Sequence, residues 1–502
     1  MAGEGSSLLG ASPLILSLAT LLIAVLCKNF VGASNKWPRR VAINKESVLR
    51  SLGIRLGDIP TTLVLDGAVA VDSLVRRADV FSDRPAGGPS TILSDGRHPN
   101  ITSVPYGPRW VALRRNITSE AFHPVRGLAR AAPQRARGAA ALVADIASSS
   151  SGNNGDGVVP VRDCLYKAVF ALNVATCFGD GAVDAGHVDA MRLAQQEFLG
   201  MVPGFRVFAT FKKVARLLYR DRWKQAVHCR RRQEELYIPL IRACQERRRS
   251  AGAGAGAGGT RTTTSYVDTL LDLEIPVEGD PRRRWKLSEG DMVSLVSEYL
   301  GAATGAVVAA LEWTLANLVT QPDVQSRLRR EVDGEEASCG YVRAVVLEAL
   351  RRHPPVPAVQ RYMATKVMVG STPVAGGTMV LFSLEDISRD DKIWTSPEEF
   401  IPDRFMPGGE GAGVRLVIGN KEAAKVKMMP FGAGRRICPG MDYALLNLEY
   451  FVAKLVTAFE WHPVKDGEKV DLTAEHGFFT TMQHPLRARV VPRAPTALTT
   501  TV

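Results

Sequence analysis

Apolar residues along this chain fall into three patterns. The first is one unbroken run, residues 8–27 (LLGASPLILSLATLLIAVLC), which carries no charge. At about 20 residues it is long enough to cross a hydrocarbon layer of ~30 Å. The second is helical: apolar positions recurring at three and four predict a helix over residues 161–178, the apolar run 444–459 reads as another, and 67–78 and the basic stretch 212–249 also read as helical. The third is short and strand-like: Ile54-Arg55-Leu56, a turn at Gly57-Asp58, then residues 61–65, which together predict a hairpin. Polar, glycine-rich stretches separate these elements. Residues 85–108 read as a long loop, 148–157 as a surface loop, and the alternating Ala-Gly run at 251–259 as a flexible linker.

Composition narrows the reading. The chain has 502 residues, 46% hydrophobic and 23% charged, enough for a membrane segment plus one large domain or two moderate ones. Only Glu4 is charged before the apolar run, and Lys28, Lys36, Arg39 and Arg40 follow it. A run this long without a basic leader favours a retained anchor over a cleaved signal, and the trailing positive charge leaves the rest of the chain in the cytosol. The sequons at Asn100 and Asn116 are then expected to stay unmodified. Net charge is +12, with runs at Lys212-Lys213, Arg230-Arg231-Arg232 and Arg247-Arg248-Arg249. Nucleic-acid binding is one use of such charge; a solvated helix face beside an anionic membrane is preferred, because the anchor already brings the chain there. Seven cysteines without a CxxC pair make no disulfide framework and fit a reducing compartment, with Cys164 and Cys177 read as core.

The candidate chemistry centres on residues 428–440, MMPFGAGRRICPG. Three glycines and two prolines around one cysteine describe a tight loop that fixes a sulfur. A thiolate, the form that binds metal, needs nearby positive charge or amide donors. Arg435, Arg436 and the backbone N–H groups within residues 437–440, Pro439 excepted, are such donors, and the helix that follows points its positive end back at Cys438. Elsewhere, Trp110 and Arg114 are four apart and Glu348 and Arg351 three apart, so each pair shares a helix face. Taken singly, these are a buried cysteine in a turn, a half-exposed basic face and a common ExxR.

Phe431, Gly434, Arg436, Cys438 and Gly440 stand as FxxGxRxCxG, which resembles the cysteine-ligand loop of the cytochrome P-450 superfamily of haem-thiolate monooxygenases, in wording most similar to plant microsomal members. The resemblance runs from about residue 54 to the C-terminus. It implies a mainly α-helical cytochrome P-450 fold with a small β region on its N-terminal side: an anchor over 1–30, a short basic linker over 31–53 and one haem-thiolate domain over 54–502. In that frame Cys438 is the axial thiolate ligand of haem iron and Phe431 and Arg436 belong to the cofactor loop. Trp110 and Arg114 hold one propionate of the haem, and Arg361 makes a second propionate contact. Glu348, Arg351 and Arg404, the last within FIPDRF, form a buried structural cluster. The implied activity is insertion of one oxygen atom from dioxygen into a small apolar metabolite. Electrons would come from an NADPH-cytochrome reductase docking on Lys425, Lys427, Arg435 and Arg436. The implied location is the endoplasmic reticulum membrane, single-pass.

The resemblance breaks within residues 297–319. Where the family has an acid followed by an alcohol to relay protons, this chain has Gly305 and Ala306, neither of which transfers a proton. Thr304, the hydroxyl nearest that pattern and so the candidate catalytic residue, is two positions from the alcohol site, about 200° around the helix. Two alternatives therefore stay open: a haem-thiolate isomerase or dehydratase acting on a hydroperoxide, and a non-catalytic membrane-bound haem protein. The linker before residue 54 and the segment before Glu348 are shorter than the family pattern. Phe478 and Phe479, in the last loop, face either substrate or core.

Overall fold

The computed structural model describes residues 54–56, 59–85, 87–152, 157–205, 207–210, 212–254, 265–277, 279–334, 340–419 and 426–493. The expected anchor and linker, Cys27, Cys339 and Lys425 lie outside them. The chain opens on strands β1 (Ile54–Leu56) and β2 (Ile59–Val64), paired antiparallel as the short apolar runs predict. Helices α1 (Pro108–Asn116), α2 (Ala132–Gly152), α3 (Val161–Phe178), α4 (Ala185–Met201) and α5 (Arg220–Gly254) follow, with strand β3 (Val158–Pro160) ahead of α3. Next come α6 (Glu289–Thr320), α7 (Tyr341–Arg352), β4 (Ala358–Met363), β5 (Thr378–Ser383) and α8 (Met441–Ala458). The chain closes on β6 (Phe459–His462), the hairpin β7 (Ala474–His476) and β8 (Thr480–Met482), and β9 (Arg487–Pro492).

Several predicted boundaries shift. Ser148–Ser151 continue α2 instead of forming a loop, and α5 runs on to Gly254 through part of the expected linker. A short helix, Pro89–Leu93, interrupts the predicted loop at 85–108. The β structure is not confined to the N-terminal side. β2 pairs in parallel with β5, which pairs antiparallel with β4, so the first sheet has the order β1-β2-β5-β4 and closes a gap of about 300 residues in sequence. A second sheet has the order β6-β9-β3. Local alternation finds strands; it does not reveal which distant strand completes the sheet.

Helix α6 runs through the centre, against α3, α5, α7 and α8. A reciprocal capping box between Ser288 and Asp291 starts it, and Gln321 before Pro322 ends it. Its leucines Leu300, Leu311, Leu315 and Leu318 are fully buried, each contributing about 1.5–3 kcal/mol of apolar burial. Among the described residues α6 is the one helix long and apolar enough to cross a membrane, and most of it is inside the fold. Between residues 291 and 319 only Glu298, Ala302, Ala303 and Ala306 escape full burial. At helical spacing these four line one accessible stripe. Cys164, Cys177, Cys229 and Cys244 are buried free thiols.

Candidate active site

The scaffold beneath the cysteine loop is built from α7. Glu348 and Arg351, one turn apart and fully buried, form a two-pronged pair at 2.7 and 2.8 Å. The remaining donors of Arg351 go to the carbonyls of Ser388, Pro397 and Glu399 at 3.2, 2.8 and 3.0 Å. Glu348 also accepts the Ile401 N–H at 2.8 Å and lies 3.4 Å from Arg404 Nε. Arg404 in turn bonds the Ser396 carbonyl at 2.7 Å and the Glu410 carboxylate. Arg404, distant in sequence, thus meets the Glu348–Arg351 pair. The Arg351 guanidinium stacks over Trp394, whose indole N–H donates to the Lys427 carbonyl at 3.1 Å, carrying the cluster to the segment that enters the loop.

The loop itself turns at Gly432 and Gly434, both at φ +72°. A Cβ on Gly434 would fall on the Leu74 carbonyl, so only glycine allows the loop to lie against that segment. The Cys438 N–H closes the turn onto the Phe431 carbonyl at 2.9 Å, with the Phe431 ring half-buried. Burial pushes the Cys438 thiol up, against the pull of the Gly440 N–H and the guanidinia of Arg114 and Arg84. Arg114, reaching over from α1, donates to the Ile437 carbonyl next to the cysteine.

Arg436 is buried. It donates to the carbonyls of Ser82, Ile101 and Val104 at 2.9, 3.1 and 2.9 Å and lies over the Trp110 ring. The expected docking patch therefore needs correction. Arg436 faces inward, and the Lys427 ammonium is engaged by the Glu410 carbonyl and the Trp394 ring, because both positive groups sit beside buried acceptors. Only Arg435 of that set is exposed among the described residues.

Four arginines converge beside this loop. Arg361 is fully buried and donates to the Phe81 and Gln360 carbonyls, both at 2.8 Å. Arg84, on the segment after β2, is electrostatically coupled to Arg114, Arg361 and Arg436. Burial, then mutual repulsion, lowers Arg361 and brings Arg436 down to about 10. The Nε of Arg84 and the indole N–H of Trp110 are buried without a partner. Crowded guanidinia with orphaned donors fit a ligand that brings carboxylates, and the two propionates of haem meet that requirement. Sequence reasoning missed Arg84, which sits in a proline-glycine stretch with no helical spacing to mark it.

On the distal side the sequence-predicted residues part company. Thr304 is fully buried and accepts from Asn173 Nδ2 of α3 at 2.9 Å, while the Tyr443 hydroxyl of α8 donates to Asn173 Oδ1. It points away from the accessible stripe of α6, about 200° from Ala302. Glu298, on the stripe, accepts the backbone N–H groups of Ile101 and Thr102 at 2.8 and 2.7 Å and pins that segment to α6. Burial raises its carboxyl group. Ala306 is part-exposed, Gly305 is buried, and the Phe479 ring lies against Gly305.

A family model described as Cytochrome P450 matches residues 34–490 of this chain. Cytochrome P450 89A9 of Arabidopsis thaliana is 34% identical over 474 residues, covering 89% of each chain. Cytochrome P450 78A1 of Zea mays is 29% identical, over 92% of this chain and 83% of the relative. A solved zebrafish cytochrome P450 with progesterone superposes at TM-score 0.69 and 20% identity, over 89% of this chain and 97% of that one. At that identity the superposition supports the fold alone.

Proposed function

Because the chain belongs to the cytochrome P450 family, we propose that it inserts one oxygen atom from dioxygen into a small apolar metabolite at a haem held by Cys438. Members of this family are oxidoreductases of the monooxygenase type, bind haem through a cysteine thiolate and take electrons from a redox partner. The observation that carries the assignment of residues is the arginine corner: Arg84 acts electrostatically on Arg114, Arg361 and Arg436, Arg436 lies over the Trp110 ring whose N–H is orphaned, and Arg114 ties that corner to the cysteine loop.

Haem bound there supplies dioxygen activation, with the thiolate pushing electron density toward iron. The residues of the chain do the rest. The Gly440 amide and the Arg114 and Arg84 guanidinia favour thiolate at Cys438 against the cost of burial. Arg84 and Trp110, whose buried donors are orphaned, would hold the carboxylates of the haem, with the charges of Arg114, Arg361 and Arg436 beside them. The alanine stripe of α6 leaves room for an apolar substrate. Positions 305 and 306 hold no proton, so protons reach the site by water or substrate, not by an α6 side chain.

The electron donor in this reading is an NADPH-dependent flavoprotein reductase, with exposed Arg435 on its docking face. The chain would work at the endoplasmic reticulum membrane with its catalytic domain in the cytosol. Reconstitution with such a reductase, NADPH and labelled dioxygen tests the reading on a panel of apolar substrates. One labelled oxygen per product supports it. Turnover of fatty-acid hydroperoxides without reductase contradicts it and selects the isomerase alternative.

A further inference from the structure

The position that lacks the distal acid is not open space. A Cβ built on Gly305 would lie 2.7 Å from Cδ2 and 3.1 Å from Cζ of Phe479, far inside ordinary contact. The ring is brought there by a tightly held backbone. Gly477 N–H closes a turn on the Phe479 carbonyl at 3.1 Å. The next residue is pinned on both sides: the Thr480 N–H donates to the Pro355 carbonyl at 2.8 Å, and its carbonyl accepts the Trp313 indole N–H at 3.1 Å. Trp313 is itself stacked on His353, with ring centroids 3.9 Å apart and an interplanar angle of 1°. Both Trp313 and His353 are buried. The backbone beside Phe479 is therefore fixed to α6 and to the segment after α7, which places its part-buried ring over Gly305. Around the helix, Gly305 lies about 60° from Ala302, at the edge of the accessible stripe. Phe478 meets Phe479 edge to face at 4.8 Å and extends the aromatic surface outward.

We propose that Gly305 and Phe479 form a locked pair, in which the ring seated on the glycine is the wall that sets the size limit of the substrate site beside α6. The pair also makes the missing acid a coupled change: no side chain returns to 305 while the ring is in place, and a side chain forced in there drives the ring toward the site. This inference rests on the haem-pocket reading above.

The test is binding of imidazole and of 1-benzylimidazole to the ferric holoprotein, followed by the shift of its Soret band. Both coordinate iron through nitrogen, but only the second needs room beyond it. Phe479→Ala is expected to tighten 1-benzylimidazole about tenfold and leave imidazole within about twofold. Gly305→Ala is expected to weaken 1-benzylimidazole selectively, and Gly305→Ala with Phe479→Ala to return it to the value of Phe479→Ala alone. Phe479→Leu, a smaller change, serves if the alanine variant loses haem, with tightening in the same direction. An unchanged ratio of the two affinities in haem-loaded variants overturns the inference, as does equal weakening of both azoles by Gly305→Ala. Wild-type protein that shows no azole-shifted spectrum at all overturns the haem reading itself, and this inference with it.

Discussion

Around Glu348 the chain builds with charge; along the accessible stripe of α6 it builds almost without it. Arg351 divides its donors between Glu348 and three carbonyls, and Arg404 completes the cluster from a segment about 50 residues on. The α6 stripe offers three alanines, beside a glycine covered by an aromatic ring. The difference separates two requirements. Holding a thiolate loop in register depends on buried, mutually satisfied charges that tolerate no single loss. The distal face contributes little to stability through its polar groups, so its chemistry can change while the fold stays.

The largest effect expected from this comparison is at Arg351. Arg351→Ala leaves Glu348 buried and unpaired, and a loss of about 3–5 kcal/mol should appear in urea unfolding. Ala306→Ser, on the stripe, should cost less than about 1 kcal/mol. Equal costs at the two sites would remove the distinction.

Next in size is cofactor retention. Arg84→Ala removes a charged donor from the arginine corner, and hydrogen bonds to charged groups contribute about 1.5–3 kcal/mol. Transfer of haem to an apo-globin scavenger should therefore speed up by roughly tenfold or more. Trp110→Phe should have the same direction and a smaller size. Unchanged release in both variants would mean that the orphaned donors serve some other ligand.

These two regions were also unequally legible. The charged scaffold announces itself in sequence because Glu348 and Arg351 must share a helix turn and the loop must place glycines where φ is positive, at 432 and 434. Helix α3 was readable from spacing, since a buried amphipathic face leaves a periodic trace, and α6 from the resemblance of residues 297–319 to the family's central helix. Arg84 left none, and Phe479 stayed open between substrate and core. Both act from loops, where position is set by contacts with distant segments: Arg84 with three other arginines, Phe479 through its neighbour Thr480, which is bonded to Pro355 and Trp313. Thr304 shows the opposite error. Its residue type suggested proton transfer, but helix geometry turns its hydroxyl to Asn173.

Thr304→Val sharpens that point. It should cost about 1 kcal/mol through the lost bond to Asn173, with the haem spectrum and turnover unchanged. A large fall in turnover at normal stability and haem content would return Thr304 to the catalytic machinery.

The smallest effect is a pH dependence. Burial, then the charges of Arg352, Arg389 and Arg351, holds His353 well below its ordinary value of 6.5. The unfolded chain then binds the proton more readily, so the stability from neutral His353 is fully present above about pH 6.5 and is lost as pH falls below it. The slope should be at most about 1.4 kcal/mol per pH unit. His353→Phe should flatten it in unfolding measured between pH 7 and roughly pH 5; an unchanged slope would place the titration elsewhere.

The central claim is that Cys438 presents a thiolate to haem in a pocket made by the arginine corner. The most direct measurement is the ferrous carbon-monoxide difference spectrum of the protein in membranes, beside Cys438→Ala. The account predicts a strongly red-shifted Soret band that disappears in the variant while the fold persists. A band unaffected by losing Cys438, or folded wild-type protein without any haem signal, would contradict it.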